Sequence, residues 1–189
     1  METRAARRDP LEQGVREGLI TVDPFDETRV QPASVDLLLG DRFLCFKTSG
    51  HGAIDVKQPL DGMMEEVRIV ADQPFVLHPG EFVLGCTLEK VGVSPAIAGQ
   101  LTGKSSLGRL GIIVHATAGF LDPGNCLRLT LELNNIGKLP VRLYWKMPIA
   151  QMTFYKLSSE AEVPYGDPRR KSKYYGDEGP EASKMHLNF

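Results

Sequence analysis

The chain is short of cysteine, of aromatic residues and of net charge, and each shortage removes a class of protein. Three cysteines, Cys45, Cys86 and Cys126, lie far apart in 189 residues. An odd, scattered set argues against a disulfide framework and fits a reducing cytoplasm. There is no Cys-x-x-Cys and no His-x-Glu, and His51, His78, His115 and His186 show no ligand spacing. Neither a structural zinc site nor the zinc-deaminase signature is therefore expected. The formal net charge is −2, so the overall field gives no reason to expect nucleic acid as a partner. No apolar run approaches the length of a membrane span. Residues 1–8 are basic, but no apolar segment follows them; they read as a frayed lead-in rather than a signal peptide.

What remains is an ordinary balance for a soluble globular domain, with 42% hydrophobic and 24% charged residues. The length suffices for one domain with a core. Asp9-Pro10 predicts a short helix, with Asp as N-cap and Pro at the first helical position. Leu11, Val15 and Leu19 fit one face of it, and Gly18 supplies its end. After Asp23-Pro24 the pattern changes to short runs of β-formers punctuated by Gly and Pro. Strands are expected at 34–38, 42–46, 67–70, 75–77, 82–87, 97–102, 112–115, 127–134, 141–143 and 149–156. Many short strands at this spacing imply an all-β barrel or sandwich. Val35, Leu37 and Leu39 alternate with Asp36 and Leu38 as in a half-buried strand. His78-Pro79-Gly80-Glu81 and Asp122-Pro123-Gly124 are turns, because Pro presets φ and Gly accepts positive φ.

The chemistry concentrates in Gly103-Lys104-Ser105-Ser106-Leu107-Gly108-Arg109-Leu110-Gly111. Two cations, two hydroxyls and three glycines suit a chain of phosphates: Lys as a point charge, Arg as a planar fork, Gly for close backbone approach. It is not a Walker A loop. That motif needs a Gly five residues before its second Gly, where Ala98 stands, and Gly108 and Gly111 interrupt any long helix after it. Some twenty residues on, Glu132 is an isolated carboxylate in the apolar run Leu129-Thr130-Leu131-Glu132-Leu133. A phosphate cradle followed by a lone acid in a strand points to a nucleotide enzyme with one general base. From Tyr165 onward, basic residues alternate with tyrosines and glycines. Such a segment suits a lid over an anionic ligand, with Lys and Arg on phosphates and Tyr on a base or sugar.

Taken together, these pieces resemble the dCTP deaminase branch of the trimeric dUTPase superfamily, from about Asp23 to the C-terminus. The carriers begin with Val30-Gln31-Pro32-Ala33-Ser34-Val35-Asp36-Leu37-Leu38-Leu39-Gly40 and Leu77-His78-Pro79-Gly80-Glu81-Phe82-Val83-Leu84. The cradle follows, then His115-Ala116-Thr117-Ala118-Gly119-Phe120-Leu121-Asp122-Pro123-Gly124. Thr130-Leu131-Glu132-Leu133, Ile149-Ala150-Gln151 and Ser172-Lys173-Tyr174 complete the order. The resemblance implies a mostly β, β-clip or distorted jelly-roll dUTPase-like fold with a short N-terminal helix and few other helical turns. Residues 1–164 would form a single nucleotide-hydrolase domain and 165–189 its lid. It implies a cytoplasmic homotrimer with sites at subunit interfaces, Mg2+ carried on the substrate triphosphate, deamination without zinc, and no nucleic-acid or membrane partner.

Carried over residue by residue, Glu132 matches the family's general base. Ser105, Arg109 and the carbonyl of Ala118 match the groups that hold the water and orient Glu132. Lys104, Ser105, Ser106 and Arg109 match the phosphate cradle, and Asp122 the acid on the deoxyribose 3′-hydroxyl. Gln151 resembles a phosphate-binding residue. Tyr165, Lys173 and Asp177 fall in the lid, with Asp177 standing where the family commonly has Gln. The implied reaction is deamination of dCTP coupled to pyrophosphate release, giving dUMP. Gly119-Phe120 in place of the His-Arg pair of deaminase-only relatives favours this, with Gly119 expected to leave room for a second water. A deaminase giving dUTP, a dUTPase without deaminase activity and a non-catalytic binding relative are the alternatives. Other departures are Asn125-Cys126-Leu127 after the Pro-Gly turn and Trp145-Lys146-Met147-Pro148 before Ile149.

Overall fold

Short β-branched and apolar runs between Gly and Pro turns cannot build long helices, and the chain folds as strands. The structure is a computed structural model that describes residues 10–47, 49–50, 52–117 and 119–189. In chain order the elements are α1 (Pro10–Arg16), β1 (Ile20–Asp23), β2 (Val30–Gln31), β3 (Ser34–Leu38), β4 (Arg42–Phe46), β5 (Met64–Arg68), β6 (Phe75–Leu77) and β7 (Phe82–Val93). They continue with β8 (Ile97–Gly103), α2 (Ser105–Gly108), β9 (Ile112–Ile113), β10 (Phe120–Leu121), β11 (Cys126–Asn135), β12 (Val141–Leu143) and β13 (Pro148–Lys156). One sheet runs β5-β4-β7-β11-β9, with β1 also on β7; a second runs β10-β8-β13-β3-β2; β12 and β6 form a separate ribbon. This is the mostly β architecture the spacing implies, with its short N-terminal helix. Among the described residues no helix is long and apolar enough to cross a membrane.

Alternation assigns the faces. In β3, Val35 and Leu37 are buried, with Leu39 just beyond, while Asp36 and Leu38 are half-buried. β11 keeps the same period over its length: Leu127, Leu129, Leu131 and Leu133 enter the core, and Arg128, Thr130, Glu132 and Asn134 face the other way. Leu131 and Leu133 are fully buried, and burying each contributes about 1.5–3 kcal/mol. A slip of one residue would exchange them for Glu132. The core therefore fixes the side on which that carboxylate stands.

The long β7–β11 pair is broken by a shift of register between Arg128 and Thr130. Thr87 fills the irregularity: its hydroxyl accepts from the Leu129 N–H at 3.0 Å and donates to the Glu89 carbonyl at 2.8 Å. Just beyond it the Glu89 side chain is fully buried. Its Oε1 accepts from the Arg29 guanidinium and its Oε2 from the Leu38 N–H at 2.9 Å. Arg29 in turn donates to the Pro24 carbonyl at 3.0 Å. One buried ion pair thus ties the segment after β1 to both sheets.

Several elements depart from the sequence reading. β7 runs on to Val93, because Glu89 finds a buried partner that sequence spacing does not reveal. The strand expected at 67–70 lies at Met64–Arg68, paired with β4, and Val70 is exposed. The strand expected at 112–115 stops at Ile113, since the backbone beyond it turns to serve Glu132. β1 was not anticipated; it is a short edge strand on β7. Leu19 lies outside α1 and is exposed, whereas Leu11 is buried and Gly14 packs on Ile20. Gly18, at φ +71, ends the helix as expected. The proposed N-cap Asp9 lies outside the described residues.

Candidate active site

Glu132 projects from the non-core face of β11 towards the loop after β9. Its Oε2 accepts from the backbone N–H of Ala116 at 2.7 Å and of Thr117 at 3.1 Å. Hydrogen bonds to an ionised acceptor are the strong kind, and two on one oxygen fix the carboxylate while leaving Oε1 available. The side chain lines a cavity of about 420 Å³. Phe46, Phe82, Phe120, Tyr165 and Tyr174 give it aromatic walls, and Asp122, Asn125, Thr130, Asp177, Glu181 and Ser183 are its other polar lining. A mostly apolar cleft of this size with a few convergent polar groups suits a small aromatic ligand such as a nucleobase.

The C-terminal segment forms one wall. Tyr165 is tied down by its N–H to the Pro123 carbonyl at 2.8 Å and by Ser172, whose hydroxyl donates to the Tyr165 carbonyl. Burial pushes the Tyr165 phenol up from its ordinary value. Further on, the Arg128 N–H donates to the Asp177 carbonyl at 2.8 Å, and the Glu181 N–H donates to Thr130 Oγ1 at 3.2 Å. Glu178 pairs with Lys90 and lies 3.7 Å from Arg128 Nε, and its carbonyl accepts from Arg42. The hydrogen bond from Lys90 holds the Glu178 carboxyl below its usual range. Burial raises the Asp177 carboxyl, and Lys184 at 3.5 Å opposes that rise.

The residues singled out from the sequence fall into two groups. Asp122, Glu132, Tyr165 and Asp177 line the one cavity. Ser105, Ser106 and Arg109 are exposed on and after α2, and none of them lines it. Lys104 is not free: its ammonium donates to both Asp36 oxygens at 2.8 and 2.9 Å. Gln151 pairs across strands with Asp36 and Thr102, on the same side of the molecule as Lys104. Lys173 donates to Asn188 Oδ1. Ala118 lies outside the described residues. Within one chain, then, Glu132 is held by Ala116 and Thr117 and not by Ser105 or Arg109.

Gly119 corrects one expectation. The space beside it is filled: a Cβ there would stand 2.7 Å from Gln100 Nε2, 2.8 Å from the Leu101 carbonyl and 2.9 Å from His115 Cε1. Glycine is required because the loop presses on β8, where the Leu101 N–H donates to the Gly119 carbonyl at 2.6 Å. Phe120, not an opening at Gly119, reaches the cavity.

Sequence reasoning missed the N–H groups of Ala116 and Thr117, which carry no side-chain signal. It also missed Thr130, Tyr174, Glu181 and Lys184. Thr130 had a signal, since it shares the outward face of β11 with Glu132.

A mostly β chain whose cavity pairs aromatic walls with an anchored carboxylate has the makings of a nucleotide hydrolase, and comparison with known proteins agrees. The dCTP deaminase-like family matches residues 7–157, and the chain belongs to that family. A protein of Corynebacterium jeikeium named dCTP deaminase, dUMP-forming, is 46% identical over 179 residues, covering 95% of either chain. One of the same name from Rhodococcus erythropolis is 49% identical, covering 91% of each. The crystal structure of 2′-deoxycytidine 5′-triphosphate deaminase from Agrobacterium tumefaciens aligns with a TM-score of 0.59 at 23% identity. It covers 76% of this chain and 46% of that longer one, and at that identity the likeness is one of fold.

Proposed function

We propose that this chain deaminates dCTP and then releases pyrophosphate, so that dCTP and two waters give dUMP, ammonia and diphosphate. The observation that carries the reading is Glu132, an isolated carboxylate fixed by two N–H groups inside an aromatic cavity. Its free oxygen takes a proton from a water, the hydroxide adds to C4 of the cytosine, and the same carboxylate returns the proton to the departing amine. Tyr165 stacks on the base or sugar, Asp122 accepts from the 3′-hydroxyl, and the tail excludes water when closed. Relatives at 46% and 49% identity, both named as dUMP-forming, support the second, pyrophosphate-releasing step.

The cradle is supplied by a second copy of the chain in a homotrimer. Ser105, Ser106 and Arg109 are exposed and stand outside their own cavity, and Leu110, Ile136 and Leu139 beside them leave apolar surface uncovered. In the assembly, Ser105, Arg109 and the Ala118 carbonyl hold the water and orient Glu132. Lys104, Ser105, Ser106, Arg109 and Gln151 take the phosphates, with Lys173 from the lid. Among the described residues no three His, Cys, Asp or Glu side chains gather to hold a metal. Mg2+ is carried on the substrate triphosphate, where it offsets phosphate charge alongside the cradle. The three free cysteines fit a cytoplasmic enzyme.

The test is product analysis. Incubation with dCTP and Mg2+ should release ammonia and pyrophosphate together and yield dUMP. Accumulation of dUTP with pyrophosphate at background would reduce the activity to deamination alone, and absence of ammonia would overturn the reading.

A further inference from the structure

The cavity is acidic to a degree that its ligand does not favour. Asp122, Glu132, Asp177 and Glu181 all line it, and among the described residues no Lys or Arg does. A nucleoside triphosphate entering it would meet like charge. Asp177 and Glu181 belong to the tail, and both are paired with one cation. Lys184 Nζ lies 3.5 Å from Asp177 Oδ1 and 3.3 Å from Glu181 Oε2. Its remaining proton goes to the Lys173 carbonyl at 3.0 Å. An ammonium has three donors, and here all are committed within the tail.

The pair is held in place from both sides. The Lys184 N–H donates to the Tyr174 phenol oxygen at 2.9 Å, and the ammonium stands 5.1 Å from the centre of that ring. The Asp177 and Glu181 backbones are pinned to Arg128 and Thr130 of β11, the strand that carries Glu132. Lys184 itself does not line the cavity. It stands behind the wall that Asp177 and Glu181 present.

We propose that Lys184 is a positioning residue that neutralises Asp177 and Glu181 from behind the cavity wall, so that an acidic tail closes over an anionic nucleotide. It acts through those carboxylates and makes no contact with the phosphates. The inference rests on the reading that residues 165–189 close over dCTP.

The test is steady-state kinetics on the full-length protein with MgdCTP. Lys184→Met should raise KM about tenfold and leave kcat within about threefold, the pattern of lost binding rather than lost chemistry. Lys184→Arg should restore KM, and circular dichroism and Tm should show the fold kept. The decisive measurement is the same Lys184→Met change made on an Asp177→Asn, Glu181→Gln background. There it should alter KM by less than about twofold, because the charges it balances are gone. An unchanged KM in the single variant, or an equal rise in both backgrounds, overturns the proposal; the second result would place Lys184 on the phosphates. Deletion of the tail separates this from the parent reading. A tail-less enzyme with full activity would remove the lid itself, whereas loss on deletion with a normal Lys184→Met variant would remove only the role of Lys184.

Discussion

Replacing Glu132 by Gln tests the assignment of the base with little collateral damage. The amide oxygen can still accept from Ala116 and Thr117, so the loop keeps its anchor. What changes is charge. A hydrogen bond to a charged group contributes about 1.5–3 kcal/mol and a neutral one about 0.5–1.5 kcal/mol. Both bonds here are exposed to solvent, so their loss falls at the low end, about 1 kcal/mol in all. For a chain of this size that lowers Tm by about 2–4 °C. The catalytic loss is far larger. Removing general acid–base help costs roughly 10²–10⁴-fold in rate, equal to about 2.7–5.5 kcal/mol of barrier. The expected variant is thus folded, binds dCTP within about threefold of the parent, and has lost ammonia release. Calorimetric titration with dCTP, a thermal melt and a coupled ammonia assay read the three quantities separately. Ammonia release near the parental rate would refute the base. A Tm lower by ten degrees or more, roughly three times the allowance, would show the carboxylate to be chiefly a structural anchor.

Two other perturbations follow from different parts of the structure. Glu89→Ala leaves the Leu38 N–H without its buried partner and the Arg29 guanidinium with only Asp26 and the Pro24 carbonyl; it should cost about 1.5–3 kcal/mol, seen as a Tm lower by about 3–12 °C, and a normal melt would contradict the buried pair. Truncation before Tyr165 removes Tyr165, Tyr174, Asp177 and Glu181 from the cavity wall while sparing the β core; dCTP turnover should fall sharply with the core still folded by circular dichroism, and undiminished turnover would show that the segment is no lid.

Much of the fold was legible in the sequence because its signals are local. The period of two in β3 and β11 sorts buried from exposed residues one by one, and core packing honours it. The Pro-Gly turns were legible for the same reason: Gly80 and Gly124 do adopt positive φ. Glu89 was not legible, since a charged residue reads as a strand end unless its partner, sixty positions away in Arg29, is known. Glu132 stood out as a lone acid among leucines, but its two anchors are backbone N–H groups of ordinary residues. Gly119 was marked for the wrong cause. A sequence shows that a side chain is missing and not what fills the space, and here Gln100, Leu101 and His115 fill it. Asp177 stands out in the sequence only as an acid where the family commonly has Gln, because its partner Lys184, seven residues on, comes back to it only through the fold of the tail.

The proposed division of the site between β11 and α2 has its own consequence. Strand alternation aims Glu132 into the cavity of its own chain, while Ser105 and Arg109 stand exposed outside it. In the proposed threefold assembly each interface would be head-to-tail, and one active site would take Glu132 from one subunit and Arg109 from its neighbour. Two inactive variants should then repair each other. Glu132→Gln subunits keep a sound Arg109, and Arg109→Ala subunits keep a sound Glu132. Random reassembly of an equal mixture gives each site one chance in two of a sound Glu132 and one in two of a sound Arg109. About a quarter of the sites therefore become competent. Refolding the mixture from denaturant and assaying ammonia release against each variant refolded alone measures the gain. Recovery to about a quarter of the parental activity supports a shared site. A mixture as inactive as its components, with size-exclusion chromatography showing mixed trimers, would return Arg109 and Glu132 to the same subunit's site and end the division argued from the exposed α2.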